Sequence, residues 1–156
     1  MNTLLNSFYE NAVAAPAQAQ TNSSQYILFV DDSVAIREAS AKVLICSGYH
    51  VDVAEDGEDG WGALHATSYD LLITDHNMPK LSGVELVKKL RSAHMELPVV
   101  LTSAALPTKE LTENPRLEFA ATLLKPFTVA ELLHTVRSIL GAANNSVLAG
   151  PRSCPQ

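Results

Sequence analysis

Asp31 and Asp32 stand directly after the apolar run Tyr26-Ile27-Leu28-Phe29-Val30, and Asp75 directly after Tyr69-Asp70-Leu71-Leu72-Ile73-Thr74. A buried strand that ends in acid delivers its carboxylate to the rim of a sheet. In open α/β sheets that rim, at the carboxyl ends of the strands, is where ligands bind. Two such strands side by side would gather three carboxylates in one cleft, a self-repelling arrangement that calls for a cation. Asp32 and Asp75 offer hard oxygen ligands for Mg2+, and the backbone carbonyl of Asn77 could complete the protein's share of an octahedron filled out by water. Asp31 would act through a bound water or orient the others. Ser103 and Lys125 also fall at the ends of apolar runs. Asp75 is the candidate nucleophile, because a carboxylate can attack phosphorus to form an acyl phosphate. Lys125 and the Ser103 hydroxyl would then hold the phosphoryl oxygens where charge accumulates.

Those residues share one edge only if the chain alternates strands and helices, and its patterning predicts that it does. Strands are expected at Tyr26–Val30, His50–Ala54, Tyr69–Thr74, Leu97–Thr102 and Thr122–Leu124. Between the first two, Ser33–Ser47 has helical spacing with Ile36, Ala39 and Val43 on one face, and Gly48 is a candidate C-cap. Asp59–Thr67 is a short helix weakened by Gly60 and Gly62. Ser82-Gly83-Val84-Glu85 and Thr128-Val129-Ala130-Glu131 both have capping-box form. The first opens a helix carrying Leu86, Val87 and Leu90. The second opens the clearest amphipathic stripe of the chain, Leu132, Leu133, Val136, Ile139 and Leu140, ended by Gly141. Thr108–Leu117 is helical in pattern but interrupted by Pro115, so a short or irregular helix is expected. Five strands alternating with five helices predict a parallel sheet covered on both faces with right-handed crossovers.

Five segments carry a resemblance. Leu28-Phe29-Val30-Asp31-Asp32-Ser33, Thr74-Asp75-His76-Asn77-Met78-Pro79, Ser82-Gly83, Leu101-Thr102-Ser103-Ala104 and Leu124-Lys125-Pro126-Phe127 resemble, in order and spacing, the receiver domain of two-component response regulators. The resemblance covers roughly residues 26–141, with tails at 1–25, expected to be disordered, and at 142–156. It implies the flavodoxin-like (βα)5 three-layer sandwich with strand order 2-1-3-4-5. It further implies that Asp75 accepts phosphate from a histidine kinase or histidine phosphotransfer protein, that Asp31 and Asp32 bind Mg2+, that Ser103 acts in the switch, and that Lys125 contacts the phosphoryl group. A cis Lys125–Pro126 bond is also implied. Against the family pattern, Thr122 stands three positions before the lysine, where an aromatic switch residue is usual. Asn77 and Ala105 occupy positions that influence how water reaches the acyl phosphate.

Composition narrows the classes. The chain has 156 residues, 47% of them hydrophobic and 18% charged, enough for one domain with a real core. A net charge of −6 argues against nucleic-acid binding, which would usually show a basic patch. Only Cys46 and Cys154 are present, which suits a reducing compartment. With no membrane-length apolar run and no signal-peptide pattern, a cytoplasmic protein is expected. The five histidines lack metal-ligand spacing, and structural or surface roles are expected for each, His76 included. Asp52, Glu55, Asp56, Glu58 and Asp59 read as a solvated acidic turn, and Trp61 as helix-face packing.

The expected function is a stand-alone signalling switch whose output is protein–protein contact with an unidentified target, through the fourth and fifth helices or the tails. It would be mainly a signalling protein that catalyses its own phosphotransfer and dephosphorylation. Two alternatives stay open at this point. One is a docking module that keeps the fold and signals without phosphorylation, for which Thr122 and Pro115 speak. The other is a small Mg2+-dependent phosphatase with an Asp nucleophile, which would want a second Asp where Asn77 stands.

Overall fold

The computed structural model describes residues 24–147. Strands β1 (Tyr26–Val30), β2 (His50–Ala54), β3 (Leu71–Asp75), β4 (Val99–Ser103) and β5 (Ala121–Leu124) form one sheet in the order β2-β1-β3-β4-β5. All neighbours are parallel. Helices α1 (Val34–Cys46), α2 (Gly57–Ala66), α3 (Gly83–Ser92), α4 (Thr108–Glu113) and α5 (Val129–Val147) connect and follow the strands. The expected three-layer α/β sandwich and its strand order are what the chain adopts.

The strand sequences explain the order of burial. Parallel strands covered on both faces carry unbroken apolar runs, whereas edge strands do not. Every residue of β3 and β4 is buried, while the edge strands β2 and β5 are largely exposed or half-exposed. Side chains alternate across the sheet. Leu28, Val30 and Leu72 meet Leu64 of α2 and Leu86, Val87 and Leu90 of α3. Ile27, Phe29, Leu71 and Ile73 meet Leu44 of α1 and Leu132, Val136 and Leu140 of α5 on the other face.

Several boundaries differ from the sequence expectation, each for a local reason. Helix α2 begins at Gly57 rather than Asp59, because the Asp56 carboxylate caps it by accepting from the Glu58 and Asp59 amides at 2.9 and 3.0 Å. Strands β3 and β4 each run one residue further than expected, to Asp75 and Ser103, because the inter-strand ladder pairs Asp75 with Thr102 and Ser103 with Leu124. The buried face of α1 is Ser40, Ala41 and Leu44. The expected stripe of Ile36, Ala39 and Val43 instead lines a groove of about 430 Å³ shared with Phe127 and Leu132. Gly48 does end α1, at φ 95°. Gly141 does not end α5, which continues to Val147: one glycine costs a helix only about 1 kcal/mol. The tails expected at 1–25 and 142–156 otherwise lie outside the described residues.

Pro115 has the expected effect. Helix α4 stops at Glu113 and a separate 3-10 turn covers Pro115–Leu117. Both capping boxes form, with Ser82 and Glu85 bonded reciprocally at α3, and Thr128 and Glu131 at α5.

Candidate functional site

Hydrogen bonds continue the sheet past its strand ends, and these fix the rim. The Asp31 amide donates to Ala54 O at 3.2 Å, the His76 amide to Thr102 O at 2.8 Å and the Lys125 amide to Ser103 O at 2.8 Å. The residues that follow β1, β3 and β5 are thereby set beside one another. Helix α3 then closes on the end of β3, where the Gly83 amide donates to His76 O at 3.1 Å. A Cβ at Gly83 would collide with the carbonyl oxygen of Asp75, so only glycine permits this approach. The Lys125–Pro126 peptide is cis.

The three carboxylates converge. Asp31, Asp32 and Asp75 each bring an oxygen to within 4.8 Å of the other two. Asp31 is fully buried, Asp75 nearly so and Asp32 exposed. The Lys125 ammonium bridges the buried pair, 2.9 Å from Asp31 Oδ2 and 2.9 Å from Asp75 Oδ1. Asp31 Oδ1 accepts from the Ser33 amide at 2.8 Å, and the Asp31 carbonyl accepts from Arg37 Nη1 at 2.7 Å. Among the described residues no donor reaches Asp75 Oδ2 or the Asp32 carboxylate. A divalent hard cation fits this donor set: three convergent carboxylates with spare lone pairs and one lysine cannot balance their own charge.

Electrostatics single out Asp75. Burial pushes its carboxyl above the ordinary value; Lys125 opposes that shift, and the charges of Asp31 and Asp32 add to it. At Lys125 burial works to lower the pKa, but the bonds to Asp31 and Asp75 outweigh it and hold the ammonium above its ordinary value. The lysine therefore stays charged while the carboxylate beside it is held less comfortably than in water.

Ser103, at the end of β4, is buried. Its Oγ accepts from the Ala105 amide at 3.3 Å and lies 3.2 Å from His76 Nδ1. The other ring nitrogen, Nε2, is 3.8 Å from Glu110 Oε1 on α4. Next to Ser103, the buried Thr102 hydroxyl has no partner among the described residues.

The model of the response regulator receiver domain matches residues 27–137, most of the chain. This chain belongs to the response regulator receiver family. It is 35% identical over 111 residues to the transcriptional regulatory protein DltR of Streptococcus agalactiae, covering 71% of this chain and 50% of that one. It is 35% identical over 119 residues to the transcriptional regulatory protein CusR of Escherichia coli, covering 75% and 52%. The chain thus spans about half the length of these relatives. Among solved structures it is similar to the chemotaxis response regulator CheY4 of Vibrio cholerae, with a TM-score of 0.69 and 30% identity over 76% of this chain and all of that one. The receiver domain of the Francisella response regulator 1452 gives 0.71 and 28%, covering 77% and 99%.

The fold brings most of the sequence-predicted site residues together. Asp31, Asp32, Asp75, Ser103 and Lys125 lie at one rim, as expected. Asn77 is exposed two residues beyond Asp75, and among the described residues no hydrogen bond holds it. Of the acidic turn, Asp52, Glu55, Glu58 and Asp59 are exposed as expected. The expectation is corrected at Asp56, which is 2% exposed with both oxygens engaged, Oδ1 by the α2 amides and Oδ2 by Lys80 Nζ at 2.6 Å. The Lys80 bond, first, and the amides hold its carboxyl below the ordinary value against burial. Trp61 lies half-buried on α2, edge-on to His65 with the Lys89 ammonium over its ring, as helix-face packing.

Two contributors to the receiver site went unread in the sequence, Arg37 and the His76 ring. Arg37 lies six residues after Asp31, so a helical turn and a half after the strand carries its guanidinium back to the Asp31 carbonyl. His76 had a signal, its place beside Asp75, but its partners Ser103 and Glu110 are 27 and 34 residues away and meet it only through the sheet.

Proposed function

We propose that this receiver is a phosphorylation-dependent switch that takes a phosphoryl group from a phosphohistidine donor onto Asp75. In that step an Asp75 carboxylate oxygen forms a bond to phosphorus as the phosphorus–nitrogen bond of the donor breaks, and the imidazole leaves with the electron pair. Asp75 Oδ2, which has no donor among the described residues, is the oxygen we assign as nucleophile. Lys125, already at Oδ1, needs only a small movement to meet a phosphoryl oxygen, and the Ser103 hydroxyl is the second donor. Bound at Asp31, Asp32 and Asp75, with the Asn77 carbonyl, Mg2+ would supply positive charge against the phosphoryl oxygens. Asp31, with both oxygens engaged, fits the supporting place in that set better than Asp32.

The observation that carries this reading is the convergence of three carboxylates, two of them bridged by Lys125, at the carboxyl ends of the strands. The phosphodonor is a histidine kinase or histidine phosphotransfer protein, and the output of this domain is contact with another protein. Transcription is named for relatives of which the chain spans half, and the −6 charge speaks against nucleic-acid contact by the receiver itself. No helix among the described residues is long and apolar enough to cross a membrane. The cytoplasm is the compartment we propose, and the free exposed Cys46 suits it.

Incubation with Mg2+ and acetyl phosphate, read by intact mass, should add one phosphoryl group to the wild-type chain and none to Asp75→Asn. No adduct on the wild type, where a control receiver labels, would overturn the switch in favour of a docking module. Steady release of phosphate from other monoesters would favour the hydrolase.

A further inference from the structure

The chain from Ser103 through His76 to Glu110 leads out of the rim to a helix that little else holds. Of the six residues of α4, only Glu110 and Leu111 are even partly buried. The Glu110 carboxylate, 3.8 Å from His76 Nε2, favours the tautomer that carries its proton on Nε2. In that tautomer Nδ1 is an acceptor, and across the 3.2 Å contact the Ser103 hydroxyl is the donor. Its oxygen meanwhile accepts from the Ala105 amide. A hydroxyl has one proton, and in this arrangement His76 uses it.

We propose that His76 is a positioning residue that couples the Ser103 hydroxyl to helix α4 through Glu110, so that phosphorylation of Asp75 releases α4. The proposal rests on the reading of Asp75 as phosphoacceptor. A phosphoryl group on Asp75 presents oxygens that only accept, and Ser103 can serve one of them only by withdrawing its proton from His76. The bare Nδ1 then faces an oxygen lone pair, and the imidazole turns away, taking Nε2 from Glu110. No covalent bond changes in this relay; one hydrogen bond is exchanged for another. The path runs along the carboxyl edge of β3 and β4, and does not use the position of Thr122, where no aromatic ring is present to carry a signal.

Amide hydrogen exchange over residues 104–113 tests it, with Mg2+ and acetyl phosphate as the probe and adduct occupancy measured by intact mass on the same samples. In the wild type, exchange should become several-fold faster on phosphorylation. Glu110→Ala, which leaves the rim untouched, should label at the wild-type level, exchange fast without phosphate and show no further increase. His76→Asn, compared at equal adduct occupancy, should exchange fast without phosphate and show no further increase, because its amide oxygen can still accept from Ser103 but cannot reach Glu110. A merely structural His76 would speed exchange in both states and preserve the increment. Labelled wild type with no change at α4, or labelled His76→Asn or Glu110→Ala that keeps the wild-type increment, overturns the coupling alone. Absence of an adduct on the wild type overturns the coupling together with the phosphoacceptor reading.

Discussion

Two groups of three acids stand at this domain's rim, each with a lysine, and they have opposite electrostatics. In the first, Asp31, Asp32 and Asp75 converge and Lys125 bridges Asp31 and Asp75; in the second, Glu55, Asp56 and Asp59 converge and Lys80 pairs with Asp56. Asp56 is buried but saturated: two amides and an ammonium take its oxygens, and its carboxyl falls below the ordinary range. Asp75 is also buried, yet holds one ammonium shared with Asp31, and its carboxyl rises. Count of acids therefore says little. What separates a helix cap from a reactive carboxylate is how many of its lone pairs the fold has already spent.

The largest effect that could break this contrast is on labelling. Asp75→Asn should lose the acetyl phosphate adduct completely, whereas Asp56→Asn should label like the wild type; loss of labelling in both would mean that the two groups act as one site. Stability should show the reverse ranking. Asp56→Ala removes the cap of α2 and should cost about 1–2 kcal/mol in urea unfolding, with adduct yield unchanged.

Mg2+ should sharpen the difference further. At tenfold excess over its dissociation constant the ion should stabilise the wild type by about 1.4 kcal/mol. Thermal melts should show that gain kept in Asp56→Asn and lost in Asp32→Ala. A gain lost in Asp56→Asn and kept in Asp32→Ala would put the metal at the second group.

The smallest effect is in pH, measured with chelator present. Asp56 is depressed in the folded state, so its carboxylate contributes stability above the unfolded value near 3.8 that is lost as pH falls through the folded value. Glu85 and Glu131, lowered by their Ser82 and Thr128 amide bonds, act in the same direction from 4.5 downward. Asp75 has the opposite sign: raised when folded, it favours the fold below 3.8 and costs stability once pH rises through its folded value. Asp75→Asn should therefore be more stable than the wild type at pH 7, with the gap closing as pH falls toward 4. A gap that widens on acidification would reverse the assignment for Asp75.

Local chemistry made much of this legible before folding. The capping boxes at Ser82 and Thr128, the break at Pro115 and the acids just past β1 and at the end of β3 are each written within a few residues, so short-range rules reach them. Asp56 was misread because a carboxylate in an acidic run looks solvated; the partner of its second oxygen is Lys80, 24 residues on. Gly141 was misread as a stop, because a glycine inside a helix and one past its end look alike without the chain beyond.

By itself, then, the sequence determined the alternation of strands and helices, and hence which residues would stand at or just past strand ends: Asp75, Ser103 and, just beyond β1 and β5, Asp31 and Lys125. Side-chain period and capping are local, and they need no partner to be read. Only the tertiary structure decided which acids would be saturated and which left with lone pairs to spare, and that His76 would join Ser103 to Glu110. Those outcomes depend on donors from distant segments meeting at one rim, and parallel pairing through crossovers brings together residues that no sequence window contains.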